Sequence, residues 1–446
     1  MKLRLNREIL RLTIPAIISN ITMPLMGLCD TGVSGHLGSE VYIGAIAVGT
    51  MMQNVVFWLF GFLRMGTTGM TAQHYGADDY DGCRRVFSRS VLLGVSIGLA
   101  IVLMHSPLRR LLLMLIGPEG EVAEYASQYF NICIWGAPFM LATMAMQGWL
   151  LGMQTTLLPM VVTIVVNLLN ITLSLVFVYG FDMGFSGVAY GTLTASCVGT
   201  PLAYLMSKIQ SKKRGLWTTL REVFDAAGIG RFFKVNSDIF LRSMCIMAVS
   251  MSVTAIGARL GAMTLAANAI IIQFYIFFSY CMDGFAFTGE ALCGRFAGAG
   301  DGAALHRSVR LLLMWSGVMA IMFMSAYLIG YKEIISLLTD RADVIALIEK
   351  YRMWILTLPL FSVLAFIYDG FFIGLTATRR MLVVTAISAA AFFGICFLHF
   401  DGTFSVGLPD NDTMWAGFVT YLLLRGLLLA SQSRTVFTAA IKHKLS

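Results

Sequence analysis

Four carboxylates lie inside long apolar stretches of this sequence, where ionisable side chains are rare. They are Asp30, Asp283, Glu290 and Asp369. Because burying such a group in a bilayer costs several kcal/mol, each is a candidate to bind a proton, Na⁺ or a cationic substrate. The structural alternative is a carboxylate that caps a broken helix or pairs with an arginine such as Arg64. We favour that alternative only for Glu290, which lies close to a span end and to Arg295.

Pro15 lies in the same apolar stretch as Asp30, fifteen residues before it. At a rise of 1.5 Å per residue, a helix would separate the two residues by about 22 Å. Proline lacks a backbone N–H and clashes with the preceding turn, so it permits a kink. We therefore predict that Pro15 acts as a helix switch in the span that carries Asp30.

Amides and hydroxyls accompany the carboxylates in the apolar stretches. Asn167, Asn170 and Ser174 are spaced three and four residues apart, so they share one face of a helix. Such a polar stripe either lines a cavity or joins neighbouring membrane helices, and the residues alone leave both readings open. The predicted substrate or cavity residues are Gln147, Asn167, Gln273 and Asp283.

The elements that must position these groups are membrane-spanning helices. Of the 446 residues, 58% are hydrophobic and 13% are charged, about half of the charged share that is typical of soluble proteins. Apolar runs long enough to cross a bilayer recur along the chain, and they lack the alternation of barrel strands. The twelve predicted spans are 9–34, 43–72, 86–106, 125–150, 157–180, 184–206, 235–258, 264–292, 308–330, 352–375, 381–400 and 413–433. We therefore predict an all-α polytopic membrane protein.

Basic residues are unevenly shared between the two sets of loops that twelve spans create. One set, which includes both termini, holds 22 of the 32 Lys and Arg residues, whereas the opposite set holds seven. The positive-inside rule therefore predicts a multi-pass protein of the cytoplasmic (inner) membrane with both termini in the cytoplasm. The same rule accounts for the net charge of +8, so nucleic acid is not an expected partner. The first span is longer than a signal-peptide core, and we expect it to be retained.

A repeat relates the two halves of the chain at an offset of about 222 residues. It aligns Gly148 with Gly370 and Asp79 with Asp301. Each half contains six spans, an even number, so both halves enter the membrane in the same orientation. Secondary transporters commonly have this organisation, with a cavity between two like bundles. We predict an N-terminal lobe at 1–206, a cytoplasmic linker at 207–234 and a C-terminal lobe at 235–446.

Sequence motifs of ATP-driven transport and of common enzymes are absent. The chain has no Walker A motif, no dinucleotide-type Gly-rich loop after a strand, no H-E-x-x-H and no G-x-S-x-G. The eight cysteines occur singly and there is no histidine cluster, so neither a disulfide framework nor a metal site is indicated. We therefore predict a protein that is not an enzyme and that needs no cofactor beyond a coupling ion, H⁺ or Na⁺.

Several segments together resemble the multidrug and toxic compound extrusion (MATE) family, and its DinF-like branch in particular. They are IP with Asp30 and HLG in the first span, FGFLRMGTTGMTAQHYGA in the second, GVAYGT in the sixth, DIFLRS in the seventh, YCMDGFAFTGEALCGRFAGA in the eighth and YDGFFIGLTATRRM in the tenth. The resemblance covers essentially the whole chain. It implies twelve helices in two pseudo-symmetric six-helix lobes, and an efflux antiporter that exchanges H⁺ or Na⁺ for diverse, often cationic compounds.

The resemblance also implies which residues couple ion movement to transport. Asp30 matches the family's cation-binding and protonation site in the first span, whose kink proline matches Pro15. Neighbouring family positions match Tyr129, Asn170 and Thr192. The tenth-span acid, which some members use for cation coupling, resembles Asp369.

Ser174 departs from the family pattern, since many members have N-x-x-x-D where this chain has Asn170 to Ser174. A serine cannot carry the proton, so Asp30 would be the only buried acid of its lobe. The body of the seventh span also lacks the acid of Na⁺-coupled relatives. These departures favour H⁺ coupling, although the remaining oxygens could still coordinate Na⁺.

The predicted function is multidrug efflux by alternating access, with drugs or toxic metabolites as substrates. We expect a monomer surrounded by membrane lipids. The alternative is a lipid-linked precursor flippase of the same broad superfamily. Such flippases line their cavity with basic residues for pyrophosphate, and Arg64 is the candidate for that role within a span.

Overall fold

A computed structural model describes residues 2–35, 40–211, 215–224, 226–339, 341–400 and 408–442. The side chains of residues 2, 3, 23, 25, 26, 28–32, 34, 35, 40, 220, 226, 227 and 337 lie outside that description. The described residues form α-helices joined by short turns, and no strand occurs among them. The chain is therefore an all-α protein, which confirms the predicted fold class.

Each predicted span coincides with one helix or with two consecutive helices. The helices are α1 (Lys2–Gly35), α2 (Glu40–Leu59), α3 (Phe62–Gly76), α4 (Tyr80–Leu103), α5 (His105–Ile116), α6 (Gly120–Cys133), α7 (Ala137–Gly152), α8 (Leu157–Leu175), α9 (Phe185–Gln210), α10 (Leu220–Val223), α11 (Ala226–Arg259), α12 (Ala262–Ala299), α13 (Gly302–Leu338), α14 (Ala342–Lys350), α15 (Arg352–Gly374), α16 (Thr378–Phe400) and α17 (Asp410–Lys442). Within the described ranges, ten helical stretches are long and apolar enough to cross a membrane. Helices α1 and α9 occupy the predicted first and sixth spans. The chain is a multi-pass membrane protein.

Two short helices, α5 and α14, were not expected from the hydrophobic pattern. Helix α5 has 12 residues and α14 has nine, which is too short to cross the hydrocarbon core. Helices α12 and α13 extend beyond the predicted spans 264–292 and 308–330. Hydropathy reports where the apolar core ends, whereas a helix continues until a cap terminates it.

The repeat recurs in the structure as the same helix cap. The Asp79 carboxylate accepts a hydrogen bond from the Gly82 N–H at 2.7 Å, at the start of α4. The Asp301 carboxylate accepts from the Ala304 N–H at 2.9 Å, at the start of α13. Such N-caps pair backbone donors that the first helical turn leaves free. The two caps lie 222 residues apart, at the predicted offset.

Glycines of the repeat mark where helices touch. A Cβ added at Gly148 in α7 would lie 2.3 Å from the carbonyl oxygen of Arg64 in α3. A Cβ at Gly370 in α15 would lie 2.4 Å from the carbonyl oxygen of Ala286 in α12. Small residues of this kind let membrane helices approach closely. Both glycines and both carbonyls differ by 222 residues, so each half of the chain contains the same close approach.

The chain divides into two compact units. The first unit comprises Ile14–Asn236 and the second comprises Met1–Thr13 with Ser237–Ser446. The predicted lobe boundaries at 206 and 235 stay a prediction.

Polar contacts hold the start of α1 within the second unit. Glu8 forms an ion pair with Arg295 at 2.6 Å, and the hydroxyls of Thr13 and Thr288 lie 2.8 Å apart.

In the first unit, the linker is bonded to α4. Arg84 donates to the carbonyl of Trp217 at 2.7 Å, and Arg89 donates to the carbonyl of Val223 at 2.8 Å. Buried apolar side chains around Phe87 and Trp149 form the core beneath these contacts.

Candidate functional site

Helices α8 and α9 bring three predicted site residues together in the first unit. The Asn170 amide donates a hydrogen bond to the Thr192 hydroxyl at 2.8 Å. The Thr192 hydroxyl donates in turn to the Val188 carbonyl at 3.2 Å, and the Ser174 hydroxyl lies 3.5 Å from the same carbonyl. The predicted polar stripe on α8 therefore faces one turn of α9, which we call the α8–α9 polar cluster.

Asn170 contributes an acceptor that no described residue uses. Its side chain is 1% exposed, and its Oδ1 atom has no hydrogen-bond partner among the described residues. A buried acceptor without a donor is costly, at about 1–3 kcal/mol. The α8–α9 polar cluster can thus accept a hydrogen bond from a protonated group or contribute an oxygen to a bound cation.

Close packing explains why position 174 holds a serine. Ser174 is fully buried, and a Cβ added at Gly191 in α9 would lie 2.3 Å from its hydroxyl oxygen. The backbone of α9 therefore occupies the space that a longer side chain at position 174 would need. A longer side chain at position 174, such as the aspartate of the family pattern, would meet this close contact with Gly191.

Tyr129 lies in α6 and is 1% exposed. It belongs to the same buried apolar cluster as Val188 and Ala189 of α9. A Cβ at Gly49 in α2 would lie 2.6 Å from the Tyr129 ring. The ring is thus held between α2 and the turn of α9 that carries the α8–α9 polar cluster.

Helix α1 contacts the polar face of α8. The Asn167 amide lies 3.3 Å from the hydroxyl of Thr22 and 3.4 Å from its carbonyl oxygen. Pro15 lies inside α1. The side chain of Asp30, further along the same helix, is outside the described residues, so its predicted role stays a prediction.

The other predicted cavity residues lie elsewhere. Gln147 in α7 donates to the Thr163 hydroxyl of α8 at 3.2 Å, which joins two helices of the first unit. Gln273 is exposed and Asp283 is partly exposed, both on α12 in the second unit. These three residues are therefore not part of the α8–α9 polar cluster.

Asp369 lies in the second unit, in a buried ion-pair cluster with two arginines. Arg242 of α11 and Arg425 of α17 both donate to its Oδ2 atom. Arg425 also donates to the Tyr421 hydroxyl at 3.0 Å. The predicted role of Asp369 in cation coupling stays a prediction, but its partners were missed by sequence reasoning.

The two arginines correct one expectation. The sequence indicates Arg64 as the candidate basic residue within a span, yet Arg242 and Arg425 are both buried inside long apolar helices. The signal that could have identified them is their position, since an arginine in a membrane span needs a buried partner.

Asp238, also missed, is buried in α11 and accepts from the Thr378 hydroxyl at 3.0 Å. No group of three or more His, Cys, Asp or Glu side chains within the described ranges could hold a metal ion.

Comparison with known proteins decides the family. The MatE family model matches residues 15–176 and 239–398, which is most of the chain and corresponds to both halves of the repeat. The chain belongs to the MATE family. The family that the sequence motifs indicated is thereby confirmed.

Relatives of this MATE protein include proteins of two bacteria. It is 36% identical over 428 residues to the DNA damage-inducible protein F of Escherichia coli, covering 96% of this chain and 91% of the relative. It is 20% identical to the multidrug export protein MepA of Staphylococcus aureus, covering 88% of this chain and 86% of that one. A solved structure of a MATE in the bent conformation has a TM-score of 0.85 at 18% identity, with 100% of this chain and 99% of that chain covered. That likeness confirms the MATE fold.

Proposed function

We propose that this MATE protein is an efflux antiporter that exports diverse, often cationic small molecules in exchange for H⁺ by alternating access. Na⁺ is the alternative coupling ion. The observation that carries the proposal is the α8–α9 polar cluster, in which Asn170 Oδ1 is a buried acceptor without a partner among the described residues. The substrates are drugs or toxic metabolites, in keeping with the name of the multidrug export relative.

The proposed coupling group is Asp30. Contact between Asn167 and Thr22 places α1 against the polar face of α8. A change of charge on Asp30 would change the electrostatic field within the first unit, and Pro15 would permit α1 to bend in response. A bound proton shifts the balance between two conformations only through its different affinity for each of them.

The residues around the α8–α9 polar cluster support H⁺ over Na⁺. A proton needs one carboxyl group, whereas Na⁺ is usually held by several oxygens arranged around it. Ser174 contributes a neutral hydroxyl that already lies against the Val188 carbonyl. In this proposal Asp30 is the one carboxyl group of the coupling set, and its other members, Tyr129, Asn170, Ser174 and Thr192, are neutral.

We further propose that the protein works as a monomer in the cytoplasmic membrane with both termini inside the cell. The support for this orientation is the excess of basic residues on one set of loops. The flippase alternative is not favoured, because the relatives include a multidrug export protein over most of the chain.

The decisive test is transport in proteoliposomes under separately imposed gradients. Ethidium movement should follow an imposed H⁺ gradient and should not respond to a Na⁺ gradient of equal size. Asp30→Asn should abolish the H⁺-driven movement. Glu349→Gln is the matched control, because it removes an exposed carboxylate that pairs with Lys332. Wild-type, gradient-dependent rates in Asp30→Asn would refute the proposed coupling group.

A further inference from the structure

The ion-pair cluster of Asp369 contains more positive than negative charge. Arg242, Arg425 and Asp369 are 4%, 3% and 5% exposed. Both guanidinium groups bond to the same carboxylate oxygen, Oδ2. Buried charges are stable only when they are paired and hydrogen-bonded, so two guanidinium groups sharing one oxygen are incompletely compensated.

Hydrogen-bonding capacity in this cluster is also incompletely used. The Nε atoms of Arg242 and Arg425 and the Oδ1 atom of Asp369 have no hydrogen-bond partner among the described residues. A guanidinium group presents its N–H donors in a planar fork that matches the two oxygens of a carboxylate or the oxygens of a phosphate. Here that fork meets a single oxygen, so both arginines retain donors for an oxyanion.

Aromatic rings lie beside the arginines. The Arg425 guanidinium lies 5.7 Å from the centre of the Tyr421 ring. The Phe418 ring is 6.1 Å from Tyr421 and 5.4 Å from Tyr275. Tyr275 interacts electrostatically with Arg425 and Asp369. A ligand at the guanidinium groups would therefore contact apolar ring surface as well as donors.

Helix α12 carries two groups that are coupled electrostatically to the cluster, Tyr275 and Asp283. Tyr275 and Asp283 are partly exposed, and Asp283 is the further charged group that acts on Tyr275. Its negative charge disfavours the addition of an anion to a cluster that keeps Asp369 in place. An anion is accommodated best when it replaces the Asp369 carboxylate at the guanidinium groups.

We propose that Arg242 and Arg425 form a binding site for an organic oxyanion, a carboxylate carried on an aromatic or other apolar body, and that Asp369 occupies the site when the ligand is absent. This extends the proposed export function to amphipathic organic acids. The export of organic acids rests on that proposed function, whereas the binding of an oxyanion to Arg242 and Arg425 does not depend on it.

Binding to the purified full-length protein tests the site without any ion gradient. The probes are 2-naphthoate, the neutral 2-naphthamide and the cationic 2-naphthylmethylamine, which share one ring system. We expect naphthoate to bind most tightly. Arg242→Gln and Arg425→Gln should each weaken naphthoate binding by about tenfold or more, which is the usual effect of losing a charge-assisted hydrogen bond. Neither change should affect naphthamide.

Asp369→Asn should change naphthoate affinity in the opposite direction to the arginine variants. The direction of this change distinguishes an oxyanion site from a cation site. Removal of the competing carboxylate should tighten naphthoate binding, and naphthoate should raise the thermal stability of this variant more than that of the wild type. Arg295→Gln is the matched control, since it breaks an ion pair with Glu8 in the same unit and should leave naphthoate affinity unchanged.

Either of two results would overturn the inference. In the first, Arg425→Gln binds naphthoate as tightly as the wild type does. In the second, Asp369→Asn binds naphthoate more weakly than the wild type and no longer binds the cationic probe. If Asp369→Asn does not fold, Arg425→Gln and the charge-retaining Arg425→Lys decide, with Lys expected to keep part of the affinity. The result with Asp30→Asn in the gradient assay does not bear on this outcome, so the two proposals fail independently.

Discussion

Replacement of Gly370 by alanine tests the close approach of α15 and α12. The new Cβ would lie 2.4 Å from the carbonyl oxygen of Ala286 and 2.8 Å from its Cα. An ordinary contact begins near 3.4 Å, so the two helices would have to separate by about 1 Å. Because both groups at the contact are backbone, no side chain can rotate away to relieve the overlap.

Two effects of opposite sign determine the size of the change. Overpacking at a tight contact costs about 1–3 kcal/mol. An alanine in place of glycine stabilises a helix by about 0.5–1 kcal/mol. We therefore expect Gly370→Ala to lower the free energy of unfolding by about 1–2 kcal/mol. Gly148→Ala should behave alike, because its Cβ would lie 2.3 Å from the Arg64 carbonyl oxygen.

Thermal unfolding of the purified protein, followed by tryptophan fluorescence, measures the effect. Gly394→Ala in α16 is the matched control, because a Cβ there meets no heavy atom within 4 Å. It should be neutral or stabilising. The two destabilising changes should add when combined, since they lie in different units. If Gly370→Ala is as stable as Gly394→Ala, the packing argument is wrong.

Three further predictions concern a packed hydroxyl, a buried amide pair and a helix cap. Ser174→Asp should destabilise the protein because Gly191 fills the space opposite, whereas Ser174→Ala should be nearly neutral in the same unfolding assay. Asn268→Ala should lower the free energy of unfolding by about 3 kcal/mol. It removes the acceptor of the Trp415 indole N–H and both hydrogen bonds of a reciprocal amide pair. A decrease below about 1 kcal/mol would contradict this prediction. Burial opposes ionisation of Asp79, but its hydrogen bond from the adjacent cap N–H and the nearby histidine outweigh burial and hold its pKa below the usual 3.8. The contribution of this cap to the free energy of unfolding should therefore be complete above pH 3.8, the ordinary pKa of the carboxyl group. It should be lost as the pH falls through the lower pKa of the folded state. Asp79→Asn should abolish this part of the pH dependence of unfolding.

Much of the scaffold could be predicted because it depends on local pattern. The length and composition of apolar runs specify membrane helices without reference to partners. The 222-residue offset likewise predicted that Asp79 and Asp301 would have equivalent positions, and both cap a helix. Helices α5 and α14 were missed because they are too short to register as spans.

Most of the candidate site could be named but not assembled. Residue type and span position identified Asn170 and Asp369, and the family resemblance indicated Thr192, yet neither showed which of them would meet. Asn170 contacts Thr192 from a neighbouring helix, and Asp369 lies in the other unit. The residue beside a membrane carboxylate depends on how each helix is rotated about its axis, and packing across the whole unit sets that rotation.

The sequence alone determined that this chain is a helical membrane transporter of two related halves with an acid and a proline in its first span. Only the tertiary structure decided that Asp369 is held by Arg242 and Arg425, which are 127 and 56 residues away. It also decided that Ser174 faces the backbone of Gly191. The physical reason is one of range: hydropathy and caps act within a helix, whereas compensation of buried charge and exclusion of volume act between helices that are distant in sequence.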